Sequence, residues 1–519
     1  MRRCSILYFD LRTHVLRDRL ATAVLALTLG LLFGARTEAA NQTATLTPIE
    51  LPSSLPYRIE LRPYPMGTAD VPTLHSYAVG EYDGKWLFLS GRTNGLHSFS
   101  NTMPDENFPP AFQNRQVWVV DLANRQTWSR SLEDASSGLS AAQIASLSPT
   151  NTQFYQSGET LYVTGGYGVD EHDEYVTFDT LTAIDVAGLG DWVVNGSGAA
   201  ADSIEQFHDP LLKVTGGAMY EIDGRTHLVF GQDYEGAYRP GLNGIYTNQV
   251  RSFDIVNDGN LRIEDVTSST PDDAYRRRDL NIFPVVRANG GGLDEGFVVF
   301  SGVFTPTNGA WTVPVEIDAA GNPSMADPDD PDTFKQGFNG YHSAKLGLFS
   351  AAAGEMHEIL FGGISVQYVD ESTGMIETDN ALPFVNDVTA VAIDSDGNYS
   401  QHHLGWFPVM TDLEENRVRF GANAEFLLAD GIATYGNGVI DFDRLGWETT
   451  LGHIFGGLSA NAPHTRVSPS TLSAASNEVW EVVLIHVPEP STIAIATWAV
   501  LALVSVQRRR QFHAKHTGD

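Results

Sequence analysis

The chain has 519 residues, 42% of them apolar and 18% charged, with 64 acidic side chains against 32 Lys and Arg, a formal charge of −32. That balance excludes a disordered chain, which lacks the apolar content to build a core, and a surface for nucleic acid or anionic lipid, which needs the opposite sign. The one cysteine, Cys4, stands at the extreme N-terminus, so the body has no disulfide, thiolate metal site or cysteine nucleophile.

The first predicted element is a targeting segment. Arg2, Arg3, Arg12, Arg17 and Arg19 precede the apolar run LATAVLALTLGLLF at 20–33, and the small residues Ala39 and Ala40 follow. That order is a secretory signal peptide over residues 1–40; the alternative is a retained N-terminal anchor. Residues 41–72 then hold one isolated strand, LPYRIELRPYP at 55–65.

From residue 73 to 487 an apolar β run ending in small residues and glycine recurs six times: KWLFLSG at 85–91, TLYVTGG at 160–166, THLVFG at 226–231, GFVVFSG at 296–302, HEILFGG at 357–363 and GHIFGG at 452–457. Most copies are followed by a strand, a tight Asn/Asp/Gly turn and another strand, as in VPVEIDAAGNPS and VTAVAIDSDGNYS. LTAIDVAGLGDWVV at 181–194 is read the same way, with no sustained helical periodicity anywhere in the body. A further strand precedes several copies, so each repeat is four strands long and the fold class is all-β. Four-stranded repeats with a glycine pair closing the second strand resemble kelch repeats, and the resemblance implies a β-propeller of six blades. Seven blades stay open because of extra strand-like sequence such as GVIDFDRLGW. The last repeat has three strands, ending in VWEVVLIHV, and the strand at 55–65 is expected to pair with it and remove both edges.

The chain ends with VPEPSTIAIATWAVLALVSVQRRR at 487–510. Its apolar run, 493–506, makes a helix of about 21 Å, short of the ~30 Å bilayer core, and Arg508, Arg509 and Arg510 follow as a stop-transfer charge. Pro488, Glu489 and Pro490, then a short apolar helix and a basic cluster, resemble the PEP-CTERM sorting signal of bacterial envelope proteins. The resemblance implies an exosortase-type peptidase as processing partner, a membrane helix at 488–510 with a cytoplasmic tail at 511–519, and a body delivered to the envelope or extracellular matrix.

In a propeller, segments entering strand one and leaving strand two share a face beside the channel. His75, His208, Arg277, Arg278, Asp279 and His342 come from entry segments, and Arg92, Asn94, His97, His172, Gln232 and Asp233 from exit loops. Together they make a candidate ligand site at the channel mouth; holding neighbouring repeats together explains the same residues. Strand alternation sends Arg276 and Arg278 to one side and Arg277 to the other. Asp170, Glu171 and Asp173 in GVDEHDEY are the candidate cation ligands, and DSDGN at 394–398 mimics a calcium loop that a hairpin turn explains equally well. His402 and His403 face opposite sides of a strand and cannot chelate together.

Copper-oxidase chemistry of the galactose oxidase kind lacks its cysteine, and no Asp box, nucleophile elbow, phosphate loop or zinc-protease motif occurs. The expectation is a non-enzymatic, exported binding module for a glycan, peptide or surface partner. An enzyme acting on polysaccharide and a purely structural role are the alternatives.

Overall fold

Each of the six glycine-ended runs contributes the second strand of a four-stranded antiparallel sheet. The protein is described by a computed structural model covering residues 46–487, except 68, 243, 308, 339, 412–416 and 466–471. The segments read above as a signal peptide and a sorting signal therefore lie outside the described residues.

Sheet I is Ala78–Tyr82, Lys85–Leu89, Gln116–Asp121 and Gln126–Ser131. Sheet II is Gln153–Ser157, Thr160–Thr164, Thr180–Asp185 and Ile204–His208. Sheet III is Ala218–Ile222, Arg225–Val229, Val250–Val256 and Arg262–Ser268. Sheet IV is Asn281–Asn289, Gly292–Phe300, Val315–Asp318 and Pro323–Met325. Sheet V is Ala344–Ser350, Glu355–Ile364, Phe384–Ile393 and Tyr399–Trp406, with the short strands Ile49–Glu50 and Ile440–Asp441 added in parallel at its two edges. Sheet VI takes Glu425–Leu428, Glu448–Phe455 and Val479–His486 from its own stretch of chain. Its fourth strand is Tyr57–Pro63, paired antiparallel with Val479–His486 from Tyr57 opposite His486 to Pro63 opposite Trp480. The all-β expectation therefore holds, and the strand expected to complete the last repeat does so.

Among the described residues the core is divided among seven clusters, and six of them lie between consecutive sheets; the seventh packs Ile364 and Phe384 of sheet V on Val303, Ala422, Leu458 and Ala460. Leu87 and Leu89 of sheet I pack on Leu161, Val163 and Ile184 of sheet II. Leu181 and Ala183 meet Met219, Leu228 and Phe253 of sheet III. Val229 and Val250 meet Ile282, Phe297 and Val299 of sheet IV. Phe283, Val298 and Phe300 meet Phe349, Leu360 and Val391 of sheet V, and Ile359, Phe361 and Val388 meet Leu451, Ile454 and Trp480 of sheet VI. The sixth cluster returns to the start: Phe455 and Val479 of sheet VI pack on Val79, Trp86 and Phe88 of sheet I. Period-two alternation is what allows this, since Trp86 and Phe88 point to one neighbour while Leu87 and Leu89 point to the other.

The glycines have the same origin. The last residue of each run's turn is Ser90, Gly165, Phe230, Ser301, Gly362 or Gly456, with φ between 48° and 64°, and the glycine after it has φ between 81° and 98°. Gly91, Gly166, Gly231 and Gly302 donate their N–H to a carbonyl of the next sheet's entry segment, and Gly457 donates to Leu74 in the entry to sheet I. The glycine pair is thus an inter-sheet contact; its second member is always glycine, whereas Ser or Phe holds the first position where space permits.

Two sequence readings are corrected. Residues 181–194 do not form a hairpin: Thr180–Asp185 is a strand and Val186–Asn195 is an α-helix, N-capped by the Asp185 side chain on Gly188 and ended by Gly196 at φ +68°. Val186, Leu189, Gly190 and Val193 bury one face at helical spacing, a short period that strand-like neighbours mask. GVIDFDRLGW starts no further sheet: Ile440–Asp441 is an edge addition to sheet V and Phe442–Arg444 a single 3₁₀ turn, and the described residues hold five four-stranded sheets, the six-stranded sheet V and smaller sheets of two or three strands.

Two glycines separate crowding from conformation. Both Gly158 and Gly165 have positive φ, but a Cβ at Gly158 meets nothing within 4 Å and one at Gly165 would lie 2.0 Å from the Val214 carbonyl oxygen. Gly158→Ala is expected to cost about 1 kcal/mol, and Gly165→Ala about 3 kcal/mol or more, in urea unfolding.

Candidate functional site

The residues that enter the first strand of successive sheets hydrogen-bond to one another. Asn151 N–H donates to Ser76 O, Gly216 to Asn151, Asp279 to Gly216, Asn423 to His342 and Ser76 to Asn423. Ser76, Asn151, Gly216, Asp279 and Asn423 all have φ between 50° and 66°, which explains the Asn, Asp, Gly and Ser found there. These entry residues bound three adjoining cavities. An inner chamber of about 240 Å³ is lined by Gln153, Tyr220, Asp279, His342, Lys345 and Glu425. A passage of about 90 Å³ shares Ser76, Asn151, Gly216, Asp279 and Asn423 with it. An outer cavity of about 470 Å³ shares Leu96, His97, Tyr238, Arg278, Asp279 and Tyr341 with the passage.

Aromatic rings dominate the passage. His97 stacks on Phe108 at 4.5 Å and 26° and meets Tyr238 edge-on at 4.7 Å. Phe108 also meets Tyr167 at 5.3 Å, and Tyr234 touches both Tyr167 and Tyr238. Burial, then the nearby cations, drives the His97 pKa down to about 3; burial and Arg92 do the same for His75, to about 3. Both imidazoles are therefore neutral at neutral pH. His97 Nδ1 faces Ser98 O at 2.9 Å and His75 Nδ1 faces Ser76 Oγ at 3.0 Å, while His75 Nε2 is buried without a partner.

The arginines divide by role. Arg92 is buried, donating to Asn94 Oδ1 at 3.0 Å and Pro109 O at 3.1 Å, with its guanidinium 5.2 Å from the Phe108 ring. Arg277, fully buried, donates to Ser301 O and Val313 O and lies 4.7 Å from the Trp311 ring, and burial lowers its pKa to about 9. Arg278 borders the passage. Its Nη1 donates to Asp279 Oδ2 at 2.8 Å, its guanidinium lies 5.1 Å from the Phe304 ring, and its Nε has no partner. Burial works against the Arg278 charge, but Asp279 and the tyrosines Tyr246, Tyr238 and Tyr341 more than offset it, and its pKa rises. Asp279 Oδ1 also accepts from Asn151 Nδ2.

Of the candidate residues, His75, Arg92, His97, Gln232, Arg278 and Asp279 line the passage and His342 the chamber. Asn94 supports Arg92 from behind. Arg277 is corrected: its backbone sits in the entry segment, but the side chain reaches away into the interior of sheet IV. His208 is corrected too. It ends the fourth strand of sheet II, 60% exposed and paired with Asp179, because the entry to sheet III begins only after the turn Pro210–Leu212, at Thr215 and Gly216.

The cation ligands are likewise revised. Ligand atoms of Asp170, Glu171 and His172 lie within 4.8 Å of one another, and Asp173 is not among them. Asp170 Oδ1 already accepts the N–H groups of His172 and Glu174. In DSDGN, Asp394 Oδ1 accepts from the N–H groups of Asp396 and Asn398, and Asp318 does the same with Ala320 and Asn322. Both are Asx-stabilised hairpin turns. His402 and His403 contact different acids, Glu50 and Asp387.

Sequence reasoning missed Lys345, Glu425 and the rings of Phe108, Tyr167, Tyr234 and Tyr238. Lys345 had a signal, being one of five lysines in the chain. Tyr234 and Tyr238 sit in a loop, and Tyr167 begins the short strand Tyr167–Val169 outside the six sheets, where no pattern repeats.

No family model matches the chain, and no curated protein matches it. A solved structure titled "Structure of YjhT" is similar to it at 11% identity and a TM-score of 0.40, covering 81% of this chain and 96% of that one.

Replacing Arg277 tests its assignment to the interior. Arg277→Met leaves two buried carbonyls without donors, and is expected to cost about 2–4 kcal/mol in chemical unfolding.

Proposed function

We propose that the six sheets are the blades of a kelch-like β-propeller, exported by the signal at 1–40 and sorted to the envelope or matrix by the PEP-CTERM segment, and that its central cavities bind a glycan. The observation that carries the reading is the wall of the passage. The rings of His97, Phe108, Tyr167 and Tyr238 stand beside Arg278 and Asp279, a paired cation and anion in which Arg278 Nε has no partner. Sugar rings offer C–H faces to aromatic side chains and hydroxyls that both donate and accept, and an Arg–Asp pair meets the hydroxyls without net charge. The six-fold repetition of sheet and glycine turn, five of the turns with an inter-sheet hydrogen bond, supports the propeller reading.

Screening the purified protein on a glycan array is expected to give a hit that Tyr238→Ala and Arg278→Ala each weaken at least tenfold. Binding unchanged in both variants moves the site away from the passage. Sorting is tested separately in the native host: replacing Pro488, Glu489 and Pro490 by alanine is expected to leave an unprocessed, membrane-bound form on immunoblots of fractionated cells. Normal release of that variant removes the sorting proposal.

A further inference from the structure

The inner chamber holds chemistry that ligand binding does not require. Lys345 lies on the first strand of sheet V, partly open to the chamber, and Glu425 on the first strand of sheet VI. His342 precedes the former, and its Nε2 lies 2.9 Å from Lys345 Nζ and 3.4 Å from Glu425 Oε1. One ring nitrogen cannot donate to the carboxylate and accept from an ammonium at once. If Nε2 carries a proton toward Glu425, the Lys345 nitrogen facing it offers a lone pair and is a neutral amine. If Nε2 is bare, it is the acceptor to which Lys345 passes a proton. Either way the imidazole is the proton-exchange partner of Nζ.

The other lysines of the described residues are held differently. Lys213 is paired with Glu235, Lys335 donates to Asp330 O, and Lys85 lies at the surface over the Tyr82 ring. Among them Lys345 alone borders one of the three cavities. Burial also pushes the Lys345 pKa down and the Glu425 pKa up. Those shifts favour an amine beside a carboxylic acid over two bare charges.

We propose that Lys345 forms a reversible imine with a small aldehyde that enters the chamber, the open-chain form of a reducing sugar being the class the passage admits. The Nζ lone pair attacks the carbonyl carbon, forming the C–N bond. The carbonyl π electrons move to oxygen, which takes a proton from the Glu425 carboxyl, while His342 Nε2 accepts the proton leaving nitrogen. The carbinolamine C–O bond then breaks as C=N forms, and the oxygen departs as water with the proton returned by His342; the remaining N–H proton of the iminium passes to the Glu425 carboxylate, which restores the acid and leaves the neutral imine. Amine and aldehyde give imine and water, and nothing is oxidised or reduced. The chamber volume of about 240 Å³ lies under the ~300 Å³ at which drug-sized sites begin, so the occupant is a single small unit.

The test does not depend on glycan binding at the passage. The purified full chain is incubated at pH 7 with glyceraldehyde and cyanoborohydride, which reduces the imine to a stable amine, and the modified lysines are mapped by peptide mass spectrometry. Lys345 is expected to be modified at least tenfold faster than Lys85 and Lys213, and His342→Ala and Glu425→Gln to slow it toward their rate. Equal modification of all lysines, or Lys345 the slowest, overturns the proposal. Because the lysines compete within one wild-type sample, the result does not require any variant to fold.

Discussion

Each sheet of this protein has two apolar faces and four strands or slightly more, too little to cover either face by itself. Every face must therefore lie against another sheet, and a linear series would leave two faces bare at its ends. Contact between sheet VI and sheet I, through Phe455, Val479, Trp86 and Phe88, removes those ends. Tyr57–Pro63 enforces it covalently: by completing sheet VI it ties the start of the chain to the end and leaves no unpaired edge on Val479–His486.

That closure dictates where polar groups go. The six apolar clusters fill the spaces between sheets, so the entry residues are left to satisfy their backbone against one another, in the left-handed conformation that aims each N–H at the preceding segment. Asp279 is there for this reason as well as for its carboxylate. The same N–H that donates to Gly216 O fixes the side chain at the border of chamber and passage, where it meets Arg278 and Asn151. Backbone geometry and the proposed ligand contact thus fall on one residue, and neither excludes the other.

The repeat was legible because its cause is local: a run of Val, Leu and Phe at period two, then a turn that needs positive φ. The strand at 55–65 was legible for the complementary reason, an apolar alternation without a partner beside a repeat short of one strand. Six of the twelve mouth candidates do line the passage, where the entry and exit offsets repeat from sheet to sheet. Failures came where the offset shifts. The helix at Val186–Asn195 lengthens the link between the third and fourth strands of sheet II, and the turn at Pro210–Leu212 lengthens the path on to sheet III, so His208 falls outside and Thr215 takes the position expected of it. The aromatic lining comes from exit loops of unequal length, whose ring contacts form only once distant loops meet, as Tyr238 does with His97 and Phe108.

The charge imbalance has a structural counterpart. Arg92, Arg251, Arg276 and Arg277 direct their guanidinium groups to main-chain carbonyls, of Pro109, Leu211, Phe304 and both Ser301 and Val313 respectively. Loops without regular structure carry carbonyls that no ladder satisfies, and a guanidinium with five N–H groups in a fixed fork can take several at once while its weakly hydrated plane stacks on a ring, as Arg277 does on Trp311. A lysine has no such plane, which fits a chain with five lysines against 27 arginines. Cations that hold loops in this way are withdrawn from the surface, and the acids left outside have few partners. Arg278, whose guanidinium is tied to Asp279, is the exception that leaves a charged pair beside the passage.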